Sequence, residues 1–366
     1  MPDFDRHPLL DLPPFPTAGY ARLADRIAAL IGTKNDVVFV QAEAVVALEA
    51  AATSLGQEGM AALNIVTSPY GELFGGWLTR AGADVIDLRG APGLPVTAEA
   101  VAEALAGAQK IDLVALVHAE SASGILNPLP EIAKLAREKG ALLLVDAVAS
   151  AGGHELDVDA LGIDIAVIGP QKGLGGPAGI SAVSVSPRAW RAIDRPDAPQ
   201  RSVLSLIDIK RNWLETGRGV LPGMPSALEF HALEAALDRV EAEGIASVIA
   251  RHLRTQRAAR AGLEALGARL WISDESEASR LVTAVLLPEG LDAQELAGDE
   301  AAVAAGLSAG VGDIASRLLR LDHTGPRANR ESVLEGVRAV GRLLNRAGVA
   351  TDEHAAEEAI AGVYEP

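Results

Sequence analysis

Short, uninterrupted apolar runs separated by amphipathic stretches restrict the fold of this 366-residue chain more than any other feature. The run ALLLVD at 141–146 has no polar alternation, which is the signature of a strand buried on both faces of a mostly parallel sheet. Similar strands are expected at 37–40, 63–67, 85–88, 113–118 and 163–169. Helical periodicity fills the gaps at 44–55, 74–81, 98–107 and 129–139. A first helix over 18–31 takes Thr17 as its N-cap. Strands alternating with helices make an α/β layer architecture, in which ligands gather at the carboxyl ends of the strands.

The pattern changes near residue 225. Helical stretches at 226–243 and 245–266 lead to a strand at 281–287 and a last helix at 329–346 capped by Asn329. The expected organisation is an extended proline-rich arm (1–16), a large α/β domain (17–244), a smaller α+β domain (245–350) and a weakly ordered acidic tail (351–366). With 49% hydrophobic residues, the chain carries too much apolar material for disorder. A net charge of −17 argues against nucleic acid or an anionic membrane surface as partner. The absence of cysteine removes disulfides, thiolate nucleophiles and thiolate metal sites. The histidines show no metal-ligand spacing, so no metal is expected. With no signal peptide and no long apolar run, a soluble cytoplasmic protein acting on small molecules is expected.

Two residues stand out chemically. Asp146 ends a buried strand just before small residues, at the ligand edge of the sheet. Lys172, one of six lysines, falls between the run DIAVIG and the glycine-rich GLGGP. Desolvated there, its amine would form Schiff bases readily. Spacing alone leaves open a solvated turn lysine and a helix-capping aspartate.

The segment HAESASGILNP…LLLVDAVASAGG…GIDIAVIGPQKGLGGPAGISAVSV, from His118 to Val185, resembles the core of class V aminotransferases of fold type I, with the alanine–glyoxylate and serine–pyruvate enzymes among them. The resemblance extends over about 36–350. It implies a mostly parallel seven-stranded large domain and a homodimer or dimer of dimers, with the segment 218–228 reaching the partner. It also implies that Lys172 carries the Schiff base and moves the proton between Cα and C4′, while Asp146 pairs with the pyridine nitrogen. Ser121 would contact the phenolic oxygen, Val148 would lie beneath the ring, Gln171 and Ala44 would border the site, and Phe74 would stack on the ring beside Tyr70.

The phosphate end departs from the family pattern. Family members place a small hydroxyl residue where this chain has Glu43, in AEAVVALEAAATSL. They take a threonine from the neighbouring subunit where this chain has Met224. Both changes, with Tyr70-Gly71, APQRSVLSLID and LLRLDHTGP, resemble the pyridoxamine–pyruvate transaminase branch, which treats free pyridoxal and pyridoxamine as substrates. By that resemblance Arg320 grips the substrate carboxylate, pyruvate is the first choice of 2-oxo acid, and no cofactor is tightly held. Val311 stands where that branch has a second carboxylate-binding arginine, and the family's [TP]-x-G-P entrance segment has no counterpart. The alternatives are an ordinary pyridoxal 5′-phosphate enzyme of the alanine–glyoxylate type and a non-catalytic pyridoxal-binding homologue.

Overall fold

The apolar runs become the centre of a seven-stranded sheet. The computed structural model describes residues 8–9 and 11–365; residues 1–7 and 10 of the expected arm, and Pro366 of the expected tail, lie outside the described residues. In chain order the strands are β1 (Asp36–Val40), β2 (Ala61–Val66), β3 (Asp84–Arg89), β4 (Leu113–Val117), β5 (Leu142–Asp146), β6 (Ile165–Ile168) and β7 (Ser181–Val185). Their spatial order is β1-β7-β6-β5-β4-β2-β3, and only β7 runs against the rest. Every residue of β4 and β5 is buried, as their unbroken apolar sequences require. β7 was not expected: its serines interrupt the run, yet Ser181 and Ser184 are fully buried, and Ser181 Oγ donates to Ala42 O.

Two helix starts differ from expectation. The first helix spans Thr17–Leu30, with Pro16 rather than Thr17 in the capping position. The helix expected at 74–81 spans Pro69–Arg80. Ser68 Oγ accepts the Tyr70 N–H at 3.1 Å and Pro69 opens the first turn, so the chain leaves β2 directly into helix. The arm is anchored by Phe15, whose ring lies 5.3 Å from Tyr20 and 5.5 Å from Phe230.

A second core gathers residues from 258 onward around four antiparallel strands, β8 (Arg269–Leu270), β9 (Val282–Leu286), β10 (Leu307–Ala309) and β11 (Leu318–Asp322), ordered β10-β11-β9-β8. Helices Ile245–Ala265 and Arg330–Arg346 cover it, and Asn329 caps the latter by accepting the Ser332 N–H. The acidic tail is not weakly ordered: Glu353–Tyr364 is a helix whose Ala356 and Ile360 are buried in this core. Its carboxylates line the outer face, so net charge and a packed inner stripe coexist. No helix among the described residues is long and apolar enough to cross a membrane.

Candidate active site

The parallel strands end on one edge, and the segments leaving them enclose a cavity of about 270 Å³. Glu43 and Ala44 enter from the turn after β1, Tyr70 from the first turn after β2, and Ser121 from the loop after β4. Asp146 and Val148 come from the end of β5, and Lys172 from the loop after β6. Residues 129 positions apart thus share one pocket (43 to 172) because strand ends converge.

Asp146 is 5% exposed, and its Oδ1 accepts the Val148 N–H at 2.8 Å. Burial pushes its carboxyl up to about 7, against the opposing effects of that hydrogen bond and the Lys172 charge. A cationic ring nitrogen is the partner such a carboxylate lacks. The Lys172 loop folds tightly on itself: Gly175 N–H donates to Lys172 O at 2.9 Å and Gly176 N–H to Pro170 O at 2.7 Å. Gly173 is required there, since a Cβ would stand 2.4 Å from Ala151 O.

At the other end, Glu43 is the N-cap of helix Ala44–Leu55. Its Oε2 accepts the Val45 N–H at 2.8 Å and its Oε1 accepts from Gln171 Nε2 at 2.8 Å. A helix N-terminus is where a phosphate would settle, and here a side-chain carboxylate already takes its hydrogen bond. A phosphate dianion at this helix end would therefore meet a like charge in the position Glu43 holds. Two like charges 4 Å apart repel by on the order of 4 kcal/mol at an effective dielectric of 20.

Three expected residues lie outside the cavity lining. Phe74 is fully buried, edge-on to Trp77 at 6.1 Å, one turn below Tyr70, so the aromatic facing the cavity is Tyr70. Gln171 reaches the site through Glu43. Arg320, on β11, stands behind Ser121: Nε donates to Ala309 O at 2.8 Å and Nη1 to Ser121 O. Its charge is felt at Tyr70, whose hydroxyl burial pushes above its ordinary pKa. Val311 lines a neighbouring cavity with Ser68, Pro69 and Trp271, and Met224 is 95% exposed. Among the described residues no histidine, aspartate or glutamate cluster could hold a metal.

Sequence reasoning passed over Glu120. It is fully buried, with Oε1 accepting from Thr67 Oγ1 at 2.7 Å and Oε2 from Ser68 Oγ. The signal was a carboxylate at the end of an apolar strand, one residue before Ser121.

Residues 16–322 match the family "Aminotransferase class-V". The pyridoxamine–pyruvate transaminase of Mesorhizobium japonicum is 34% identical over 90% of this chain and 84% of its own length. The crystal structure of pyridoxamine–pyruvate aminotransferase from Mesorhizobium loti superposes with a TM-score of 0.89 at 34% identity, over 95% of this chain and 89% of that one. Ureidoglycine–glyoxylate aminotransferase of Bacillus subtilis gives 0.87 at 25% identity, over 98% and 94%. A strand-edge pocket joining a lone loop lysine to a buried aspartate, on a fold shared almost end to end with these enzymes, leads to one conclusion: the chain belongs to the class-V aminotransferases.

Proposed function

We propose that the protein interconverts pyridoxamine plus a 2-oxo acid, pyruvate first among them, with pyridoxal plus an amino acid, alanine in the pyruvate case. The unphosphorylated vitamer is then a substrate that comes and goes, and no cofactor is tightly held. The observation that carries this reading is the Glu43 carboxylate at the N-terminus of helix Ala44–Leu55, fixed by Val45 N–H and Gln171. Its remaining lone pairs can accept a hydrogen bond from the hydroxymethyl group of pyridoxal, while a phosphate would meet a like charge.

In this reading Asp146 faces the ring nitrogen and keeps it protonated, and Ser121 lies within reach of the phenolic oxygen. The protonated ring supplies a sink for the electron pair released at the substrate carbon. Lys172 Nζ would hold the vitamer at its aldehyde carbon until the incoming amine displaces it, and the freed amine would then carry the proton between Cα and C4′. Arg320 takes the substrate carboxylate with the guanidinium N–H donors that its bonds to Ala309 O and Ser121 O leave over. The exposed apolar side chains of Val203, Val220 and Met224, near the Gln41 to Pro222 hydrogen bond, support a second copy of the chain closing the site, as a homodimer or a dimer of dimers.

The second reading, an ordinary pyridoxal 5′-phosphate enzyme, rests on the Gln171 amide and the helix N–H groups, which would serve a phosphate if Glu43 swung away. Near-visible absorbance titration of purified protein with pyridoxal and with pyridoxal 5′-phosphate separates the two. Saturation by pyridoxal and weak response to the phosphate ester is the expected result. Tight binding of the phosphate ester would replace it with the second reading. Glu43→Ser should move the preference toward the ester by about tenfold or more, equivalent to about 1.4 kcal/mol. Lys172→Ala should abolish turnover, and wild-type rates in that variant would remove the lysine from the mechanism.

A further inference from the structure

We propose that Glu120 is a positioning residue, whose buried carboxyl ties the helix carrying Tyr70 to the loop carrying Ser121 and so sets the space the 2-oxo acid occupies. The hydrogen bonds leave little freedom. Asn127 Nδ2 donates to Thr67 Oγ1 at 2.8 Å, and Thr67 Oγ1 donates to Glu120 at 2.7 Å. Tyr70 N–H donates to Ser68 Oγ, and Ser68 Oγ donates to Glu120. Each hydroxyl oxygen already accepts a hydrogen bond on its other side, so its one proton is left to donate, and both protons converge on the same carboxyl.

Glu120 fixes its own loop as well. Its N–H donates to Ile125 O at 2.8 Å and its carbonyl accepts the Gly124 N–H at 2.9 Å, closing a turn around Ser121. The Ser121 carbonyl then accepts from Arg320 Nη1. Tyr70, Ser121 and Arg320 are therefore held relative to one another through this one residue, by its side chain toward Tyr70 and by its backbone toward Ser121.

What Glu120 contributes is direction, because its burial is unfavourable. Among the described residues no arginine, lysine or histidine hydrogen-bonds to it, and Asp146 adds a like charge nearby. A buried carboxyl without a counter-charge costs stability relative to an apolar side chain. Burial pushes it up to about 8, against the two hydroxyl hydrogen bonds, which belong to its ionised form, so the kinetic comparison is made above pH 8.

This inference rests on the aminotransferase reading of the pocket and not on which vitamer fills it. Glu120→Gln, Ser68→Ala and the double variant are compared with wild type by KM for pyruvate, by Kd for pyridoxal without oxo acid, and by thermal midpoint. If wild type prefers pyridoxal 5′-phosphate, the Glu43 reading fails there, and the same comparison runs on the phosphate-loaded protein with alanine. In Glu120→Gln an amide N–H faces a hydroxyl that already has a donor, so one bond must turn. The pyruvate KM should rise about tenfold with the pyridoxal Kd little changed. Ser68→Ala cuts the same link from the other side, so the double variant should be no worse than the more affected single one. An unchanged pyruvate KM in both single variants, or losses that multiply, overturns the proposal. Ser68→Ala removes one hydroxyl only, so it decides the matter if the Glu120 variant does not fold.

Discussion

At Gly325 one methyl group should reach the loop of Lys172. The residue has φ of +55°, and a Cβ there would stand 2.9 Å from Lys172 O and 3.0 Å from Gly175 Cα. Its N–H donates to His252 Nε2 at 3.0 Å and its carbonyl accepts from Arg251 Nη1 at 2.9 Å, so it cannot retreat freely. Gly325→Ala should cost about 1–2 kcal/mol for the left-handed conformation alone. It should also lower kcat, because the shift is passed to the loop that aims Lys172. Steady-state kinetics beside a denaturant titration checks both, and wild-type kcat with lowered stability would mean the loop absorbs the methyl. That Lys172 and Asp146 would meet at the strand edge was legible in the sequence, because a scarce lysine beside glycines and an acid at a strand tip are local signals. The partners of Gly325 were not, since nothing in LLRLDHTGP names the loop it touches. Phe74 was misjudged for a nearer reason. Ser68 caps the helix at Pro69, which puts Tyr70 in the first turn beside the cavity, while Phe74 lies on the same face one turn further in and packs against Trp77.

The helix Glu353–Tyr364 is the element whose order the composition concealed. Ile360 packs onto Gly262 so closely that a Cβ on the glycine would lie 2.7 Å from Ile360 Cγ1. Ile360→Ala should therefore destabilise the small domain by about 2–4 kcal/mol through lost burial and an unfilled space. Denaturant unfolding would show this as a lowered midpoint, whereas an unchanged midpoint would return the segment to a loosely held tail. The pattern was present in the sequence as Ala356 and Ile360 four apart behind an Asp352 cap, but the surrounding acids dominated the reading. β7 shows the converse error. The parallel strands were legible from apolar runs alone, whereas the serines of SAVSV hid a strand that is buried throughout, with Ser181 Oγ donating to Ala42 O in the turn after β1.

Across the molecule, buried titratable groups pull stability in opposite directions with pH. Burial lowers His118, His252 and His323 to about 4, and lowers His154 as well. Unfolded, each would titrate near 6.5, so between pH 6.5 and 4 the unfolded chain binds more protons and stability falls as pH falls. Glu120 and Asp146 act in the other sense. Held at about 8 and about 7, above their unfolded values, they contribute stability at low pH that is lost as pH rises through those values. The thermal midpoint of the ligand-free protein should therefore peak at about pH 6.5, fall on the acid side where four histidines outweigh two carboxyls, and fall toward pH 8 where the two carboxyls act alone. Glu120→Gln should flatten the alkaline decline. A monotonic rise to pH 8 in wild type would contradict this balance.

The carboxylate at the start of helix Ala44–Leu55 has one more consequence. In a site completed by a bound anion, that helix end stays unfinished until the anion arrives, and dialysis can undo it. Here the anion is encoded in the chain and arrives with translation. On the proposed reading that corner would close without any supply of phosphorylated vitamer.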